Sequence, residues 1–333
     1  MSWQPFVAPV QDTVPVQPLP MTLSRNTSIF LAGHQGMVGS AVHRLLQREG
    51  FADVRTTASR ELDLRDHDAV DRYLGSTSPD AVILCAARVG GIQANLDSPA
   101  TFLLDNLQIQ NSVIAASHRH GVKRFVFLGS SCIYPRNCPQ PMQEEQLLTG
   151  ALEPTNEGYA LAKIAGLKLL EAMHRQHGFN SISLMPCNLY GPNDSFDLQK
   201  SHVLSALVRR FVDAKAGGVP SLTLWGTGVA RREFMHVDDL ASAILFMMER
   251  HEHQPCINIG TGEDLSIREL AQRIATQVGY AGQIQWDASR PDGMLRKCMD
   301  VSRMHALGFV PTISLQTGLN QMIDLYTHAR SHT

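Results

Sequence analysis

Ser28-Ile-Phe-Leu-Ala-Gly-His-Gln-Gly-Met-Val-Gly-Ser-Ala-Val-His-Arg-Leu-Leu-Gln47 is the stretch that decides the fold. Its first five residues form an apolar run too short for a helix and suited to a buried strand; glycines follow, and from Met37 apolar residues return at helical spacing. Gly33, Gly36 and Gly39 therefore sit between a strand and a helix. There, glycines permit a tight turn, close approach of backbone to a pyrophosphate, and packing of helix on strand, while the helix N-terminus supplies amide donors. The spacing G-x-x-G-x-x-G alone describes only a glycine-rich turn, and its flanks make it specific.

The same rhythm repeats downstream. Strand-like runs at Asp53–Thr57, Ala81–Ala86, Arg124–Leu128 and Ser181–Pro186 alternate with helical stretches at 66–75, 99–120 and 158–177. The alternation predicts an α/β fold, a doubly wound parallel-sheet Rossmann domain over 26–187. After Asn188 the rhythm loosens at Gly191-Pro-Asn, Ala216-Gly-Gly-Val-Pro220 and Pro291-Asp-Gly293. His236–Arg250 and Cys256–Gly260 again read as helix and strand, so about 230–260 is expected to return to the sheet. That leaves 188–229 and 261–333 for a smaller, interleaved α/β substrate-binding domain.

Composition narrows the function. With 44% apolar residues, 18% charged and a formal net charge of −2, the chain reads as an ordinary soluble protein without a global basic field for nucleic acid or anionic membrane. Cys85, Cys132, Cys138, Cys187, Cys256 and Cys298 follow neither a zinc nor a disulfide spacing, so no metal is expected and a reducing, cytoplasmic setting fits. Residues 1–25 carry Pro5, Pro9, Pro15, Pro18 and Pro20 without the basic and apolar regions of a signal peptide, and are expected to form a disordered tail. No apolar run approaches the length that spans a bilayer.

Tyr159 and Lys163 lie four residues apart on the helical stretch 158–177, on one face. An ammonium beside a phenol favours the phenolate and moves it toward neutral pH, so the pair is suited to passing a proton, with Ser130 upstream to hydrogen-bond the same oxygen. Many amphipathic helices carry that spacing idly. For the dinucleotide, the second strand runs into Thr56-Thr-Ala-Ser-Arg60 with no acid for a ribose 2′-hydroxyl. Ser59 and Arg60 instead suit a 2′-phosphate, which favours NADP(H), although Arg60 could be a solvated surface charge. Asp63 could accept from the adenine amino group, or be an ordinary solvated loop acid.

With glycine turn, serine and Tyr-x-x-x-Lys in order, the chain resembles the extended short-chain dehydrogenase/reductases, which act mainly on nucleotide sugars. Arg88-Val-Gly-Gly-Ile92, Leu128-Gly-Ser-Ser-Cys-Ile-Tyr-Pro135, Glu153-Pro-Thr-Asn-Glu157, Asn188-Leu-Tyr-Gly-Pro192 and Arg232-Glu-Phe-Met-His-Val-Asp-Asp239 resemble the branch that epimerises and reduces GDP-4-keto-6-deoxy sugars. The similarity covers about 26–325. Members often carry arginine at the positions of Gln35 and Ser59.

That resemblance implies a GDP-sugar substrate, a homodimer through the helices at 99–120 and 158–177, and residue roles. Lys163 would hold the nicotinamide ribose. Cys132 and His202 would be base and acid for epimerisation, Cys132 being expected to face the serine's side of an extended segment. Asn106 would continue a proton path toward Lys163, or merely cap a helical turn. Met37, Val38, Leu128, Gly129, Pro186, Asn188, Leu189 and His202 would line the cofactor site. Arg210, Trp225, Arg232, Asp292 and Lys297 would bind the sugar nucleotide. Taken singly, His202 and the arginines pass for surface residues, Trp225 for packing, and His236 for a structural histidine. The rivals are another nucleotide-sugar epimerase or reductase of the same superfamily, and a non-catalytic dinucleotide-sensing regulator.

Overall fold

The structure is a computed structural model and describes residues 23–198, 201–290 and 292–331. In chain order the first layer contains β1 (Ile29–Ala32), α1 (Met37–Arg48), β2 (Val54–Arg55), α2 (His67–Thr77), β3 (Ala81–Leu84), α3 (Ile92–Asp97), α4 (Pro99–Arg119), β4 (Arg124–Leu128), α5 (Glu157–His177) and β5 (Ser181–Pro186). Beyond it come β6 (Asn188–Tyr190), α6 (Val203–Ala216), β7 (Ser221–Trp225), β8 (Arg231–His236), α7 (Val237–Arg250) and β9 (Gln254–Ile259). The chain closes with β10 (Asp264–Ser266), α8 (Ile267–Val278), β11 (Gln283–Asp287), β12 (Arg296–Lys297), α9 (Ser302–Ala306) and α10 (Leu315–Ser331).

A six-stranded sheet runs in the order β2-β1-β3-β4-β5-β9, every pairing parallel. β1, β3, β4 and β5 are buried along their whole lengths because helices cover both faces, which is why they read as unbroken apolar runs. The chain leaves β1 toward β2 and returns to β3 on the other side, so the crevice beyond the carboxyl ends of β1 and β3 is the switch point where such sheets bind ligands. β9 does return to the sheet, beside β5.

Smaller sheets stand over that edge. β8 pairs antiparallel with β10, parallel with β12 at its start and parallel with β6 at its end, while β7 pairs parallel with β11. α6, α8 and α10 pack together beside them around a second apolar cluster containing Phe211, Phe234 and Leu319.

Three local expectations need adjustment. The second strand is only Val54–Arg55, because Asp53 turns its carboxylate onto the Arg55 guanidinium at 2.8 Å and the chain leaves the sheet for a turn at Ala58. Met299, Val301, Met304 and Phe309, grouped by sequence with the substrate lobe, pack into the first core. Residues 1–22 of the proline-rich tail lie outside the described residues, but Leu23 packs on the core and Arg25 pairs with Glu249 at 2.8 Å.

Candidate active site

A cleft of about 790 Å³ opens at the switch point. Its outer end is made of backbone. Gly33 has φ +91°, and a Cβ there would lie 2.6 Å from the Ala86 amide; a Cβ on Gly39 would lie 2.0 Å from the Gly33 carbonyl oxygen. α1 begins at Gly36 with neither a side-chain cap nor an acid in its first turn, so its amides are left for an anion at the cleft. The turn, the close approaches and the uncapped helix together fit a dinucleotide pyrophosphate.

Gly33, Gly36, Met37, Val38, Gly39, Ser59, Arg60, Asp63, Leu128, Gly129, Ser130, Tyr159, Lys163, Pro186, Asn188, Leu189, His202 and Lys297 all line this cleft. Arg60 is largely solvated, with Glu61 at 3.7 Å. The Asp63 carboxylate is committed to Arg65, which donates to it at 2.7 Å and holds it below the usual carboxylate range. Arg65 also lies 3.5 Å from Asp105, which in turn receives Arg88 at 3.1 Å, so a chain of charges borders the cleft. Sequence reading missed Arg65 and Asp105. Asp63-Leu-Arg-Asp66 contained the pair, but the contact with Asp105 depends on α4 passing the β2–α2 loop.

The inner end is made of side chains. Gly166, one turn after Lys163, lets α5 approach α4 and β4: a Cβ would lie 2.7 Å from the Phe127 ring and 2.8 Å from the Gln110 amide. Lys163 is thereby driven inward, 4% exposed, where Nζ donates to the Leu128 carbonyl at 2.7 Å and stands 5.8 Å from the Tyr159 ring centre. Burial pushes the lysine down to about 8. The phenol moves opposite to expectation: burial, aided by the nearby Cys132 thiol, pushes it well above its usual range. The ammonium is held at the Leu128 carbonyl, and desolvation dominates.

Ser130 caps a short 3₁₀ turn over Ser131–Ile133, its hydroxyl accepting from the Cys132 amide at 3.3 Å. The segment is therefore a turn and not extended. Cys132 is buried just behind the cleft lining; burial raises its thiol, and the charges opposing this are Lys297 first and Lys163 second. His202 is the N-cap residue of α6 on the cleft wall, with Asp194 nearby. Asn106 accepts from the Arg88 amide at 2.9 Å and donates to the carbonyls of Arg88 and Phe102 at 3.0 and 2.7 Å. Both of its N–H groups are thus committed to holding the Arg88 loop.

The remaining predicted substrate residues stand outside the cleft lining. Arg232 donates to the carbonyls of Met294 and Asp292 at 2.6 and 3.2 Å, while the Asp292 carboxylate accepts from Thr227 N at 2.8 Å. Arg210 reaches from α6 to the Thr223 carbonyl at 2.5 Å. Trp225 is 61% exposed, with Arg290 5.0 Å above its ring. His236 accepts from the Asp238 amide at 3.2 Å and faces Gln321 at 2.7 Å, a structural cap. The six cysteines are free thiols, and among the described residues no cluster of metal-ligating side chains occurs and no helix is long and apolar enough to cross a membrane.

A parallel doubly wound sheet whose glycine turn opens onto a cleft with serine, tyrosine and buried lysine at its inner end defines a nicotinamide-dinucleotide enzyme. The chain belongs to the NAD dependent epimerase/dehydratase family, matched over residues 29–260. It is 50% identical over 302 residues to GDP-L-fucose synthase 1 of Arabidopsis thaliana, covering 91% of this chain and 94% of that one. It is 50% identical over 300 residues to GDP-L-fucose synthase of Escherichia coli (strain K12), covering 87% and 94%. Among solved structures, a GDP-mannoheptose C4 reductase from Campylobacter jejuni with NADP bound superposes with TM-score 0.85 at 35% identity, covering 92% of this chain and 99% of that one.

Proposed function

We propose that the protein is an NADPH-dependent enzyme that epimerises GDP-4-keto-6-deoxy-D-mannose at C3 and C5 and reduces C4, giving GDP-L-fucose. The observation that carries this is the buried cysteine beside the tyrosine and lysine, with a second lysine, Lys297, on the facing wall. A reductase needs the first pair. Proton abstraction from carbon gives Cys132 a task that reduction alone does not.

Both C3 and C5 flank the C4 ketone. Removing a proton from either breaks a C–H bond, forms S–H on Cys132, and moves the electron pair onto the ketone oxygen. Ser130 and Tyr159 hold that oxygen as enolate, His202 returns a proton on the opposite face, and the ketone re-forms inverted. When bound, NADPH supplies the hydride for C4. Tyr159 donates its proton to the resulting alkoxide, and a phenol kept protonated by burial is in the correct state to do so. Lys163 would hold the nicotinamide ribose, the glycine turn the pyrophosphate, and Ser59 and Arg60 the 2′-phosphate. Arg210, Trp225, Arg232, Asp292 and Lys297 belong to the lobe that covers the sugar nucleotide, with 26–187 and about 230–260 forming the cofactor lobe. The chain acts in the cytoplasm as a homodimer joined through α4 and α5, where Leu104 and Leu161 are exposed.

The test is turnover in deuterium oxide with GDP-4-keto-6-deoxy-D-mannose and NADPH. The expected result is NADPH oxidation and GDP-fucose carrying deuterium at C3 and C5, with Cys132→Ser blocking deuterium entry while cofactor binding persists. Reduction of other keto-sugar nucleotides with none of this one rejects the assignment.

A further inference from the structure

Glu233 is a charged side chain that neither half of the proposed reaction uses, yet it is 0% exposed. It lies on β8 beneath the joint between the large sheet and the small one. One carboxylate oxygen accepts from the amides of Thr261 and Gly262 at 2.6 and 2.8 Å, in the turn after β9; the other accepts from the Met299 amide at 2.8 Å, two residues past Lys297. Its backbone carbonyl receives the Asn188 side chain at 2.8 Å on the cleft wall. A Cβ on Gly260 would lie 2.0 Å from the carboxylate, so the sheet edge is shaped around it.

The strand it anchors is also stitched to the continuation of the Ser130–Cys132 turn. Cys298 N donates to the Gln140 side chain at 2.9 Å, Met142 N to the Cys298 carbonyl at 2.8 Å, and Asp300 N to the Met142 carbonyl at 2.8 Å. On its other side Lys297 is in register with Arg232 of β8. Lys297 lines the cleft together with Ser130, Tyr159 and Lys163, within charge range of both the Cys132 thiol and the Glu233 carboxylate.

We propose that Glu233 and Lys297 form a positioning pair for the epimerisation proposed above: the buried carboxylate ties the Lys297 segment, through the Met299 amide, to the Thr261–Gly262 turn, and the Lys297 ammonium is the counter-cation of the Cys132 thiolate. The charged neighbours agree. Around Cys132 the cations are Lys297 on β12 and Lys163 on α5, with the Tyr159 phenol beside them. Around Lys297 stand Cys132, Cys187 and Glu233, which favour its charge, and Arg232, which opposes it along with burial. Glu233 has Asp264 as a further like charge, and its three amides offset part of the cost of burying it. Replacing this carboxylate by an amide turns one acceptor into a donor facing a backbone N–H, and removes one of the negative charges that favour the Lys297 ammonium, after Cys132 and Cys187.

The pair rests on the epimerase reading for its purpose but not for its test, which uses the full-length protein without sugar or NADPH. Thiolate absorbance is followed against pH, each curve taken as the difference from the same protein carrying Cys132→Ser. Lys297→Met should raise the midpoint by about one pH unit, leaving about tenfold less thiolate at a given pH below it. Lys297→Arg should restore the wild-type curve. Glu233→Gln should move the midpoint the same way by less, and should move it no further once Lys297→Met is present. An unmoved midpoint in Lys297→Met overturns the pairing with Cys132. A Glu233→Gln protein that melts earlier with its thiol curve unchanged reduces the carboxylate to packing and overturns its half. Should Glu233→Gln fail to fold, the Lys297→Met and Lys297→Arg curves decide the pair. Normal curves with no deuterium exchange in turnover would remove the epimerase and leave the pair standing.

Discussion

The two ends of the cleft solve different problems with different materials. At the outer end, Gly33, Gly36 and Gly39 expose amides and the N-terminus of α1, and the recognising groups are backbone. At the inner end the recognising groups are side chains, Lys163 and Cys132 buried and Tyr159 and Lys297 half-buried on the cleft wall, and each is shifted from its ordinary ionisation in the direction burial dictates. A backbone site needs only the right local turn. A buried ionisable cluster must be assembled from distant segments, and it stores desolvation cost that a ligand or a proton can later relieve.

The largest expected effect separates the two ends chemically. Tyr159→Phe should lower reduction by about 10²–10⁴-fold, the usual worth of a positioned general acid, because the other hydroxyls at the inner end, Ser130 and Ser131, are aliphatic alcohols and far weaker acids than a phenol. NADPH affinity, measured by fluorescence titration, should stay within about twofold, since the ring makes no part of the glycine turn. A tyrosine variant that also stops binding NADPH would erase the division.

Gly39→Ala should do the reverse. Its Cβ would meet the Gly33 carbonyl at 2.0 Å, so the turn has to open and the pyrophosphate amides lose alignment. An NADPH affinity lowered by about 100-fold is expected, corresponding to about 2.7 kcal/mol. The titration of Cys132, read by thiolate absorbance, should be unaltered. Unchanged affinity would mean the cleft binds its ligand without this turn.

The same contrast explains how much the sequence disclosed. β1, the glycine turn and α1 are contiguous, so strand, turn and helix follow from one window, and β4 and β5 were bounded correctly by their apolar runs. That Tyr159 and Lys163 share one helix and one cleft was legible because helical spacing is local. What escaped was long-range: Glu233 reaching Thr261 and Met299, Arg65 reaching Asp105, and Lys163 choosing the Leu128 carbonyl over the phenol. The phenol's direction of shift was misjudged for that reason, since spacing reports neighbours and says nothing of dehydration. Cys132 was placed on an extended segment, where the structure has a 3₁₀ turn. Its position next to Ser130 held because both lie on one short segment.

Stored desolvation cost has a measurable sign. Lys163 is pushed from its usual 10.5 to about 8, so between those values the unfolded chain holds a proton that the folded one lacks. Stability attributable to this group therefore rises as pH increases from about 8 to 10.5, and below 8 the folded protein carries the full penalty. Lys163→Met should stabilise the cofactor-free protein at pH 7 by about 2 kcal/mol while abolishing reduction, and the gain should vanish by pH 10.5. Paired thermal melts at pH 7 and above pH 10 check this. A gain that is flat across pH would assign it to packing and not to the charge.

The smallest effect lies where the ends meet, in the chain Asp63–Arg65–Asp105–Arg88 along the rim. Arg65→Leu should leave the melting temperature essentially unchanged, because Arg65 and Asp63 are each 47% exposed and such solvated pairs contribute little. Its effect on ligand should be larger than its effect on fold. Without Arg65, the carboxylates of Asp63 and Asp105 lose a neutralising cation on the same cleft as Ser59 and Arg60, where the 2′-phosphate is proposed to sit, so NADPH should bind about threefold more weakly at low salt. NADH, which lacks that phosphate, should be less affected. Raising ionic strength to about 1 M, where the screening length falls to about 3 Å, should bring wild type and variant together. A threefold loss that persists at high salt, or that NADH shares equally, would make Arg65 a direct contact to the adenosine and extend the side-chain-built region to the outer end of the cleft.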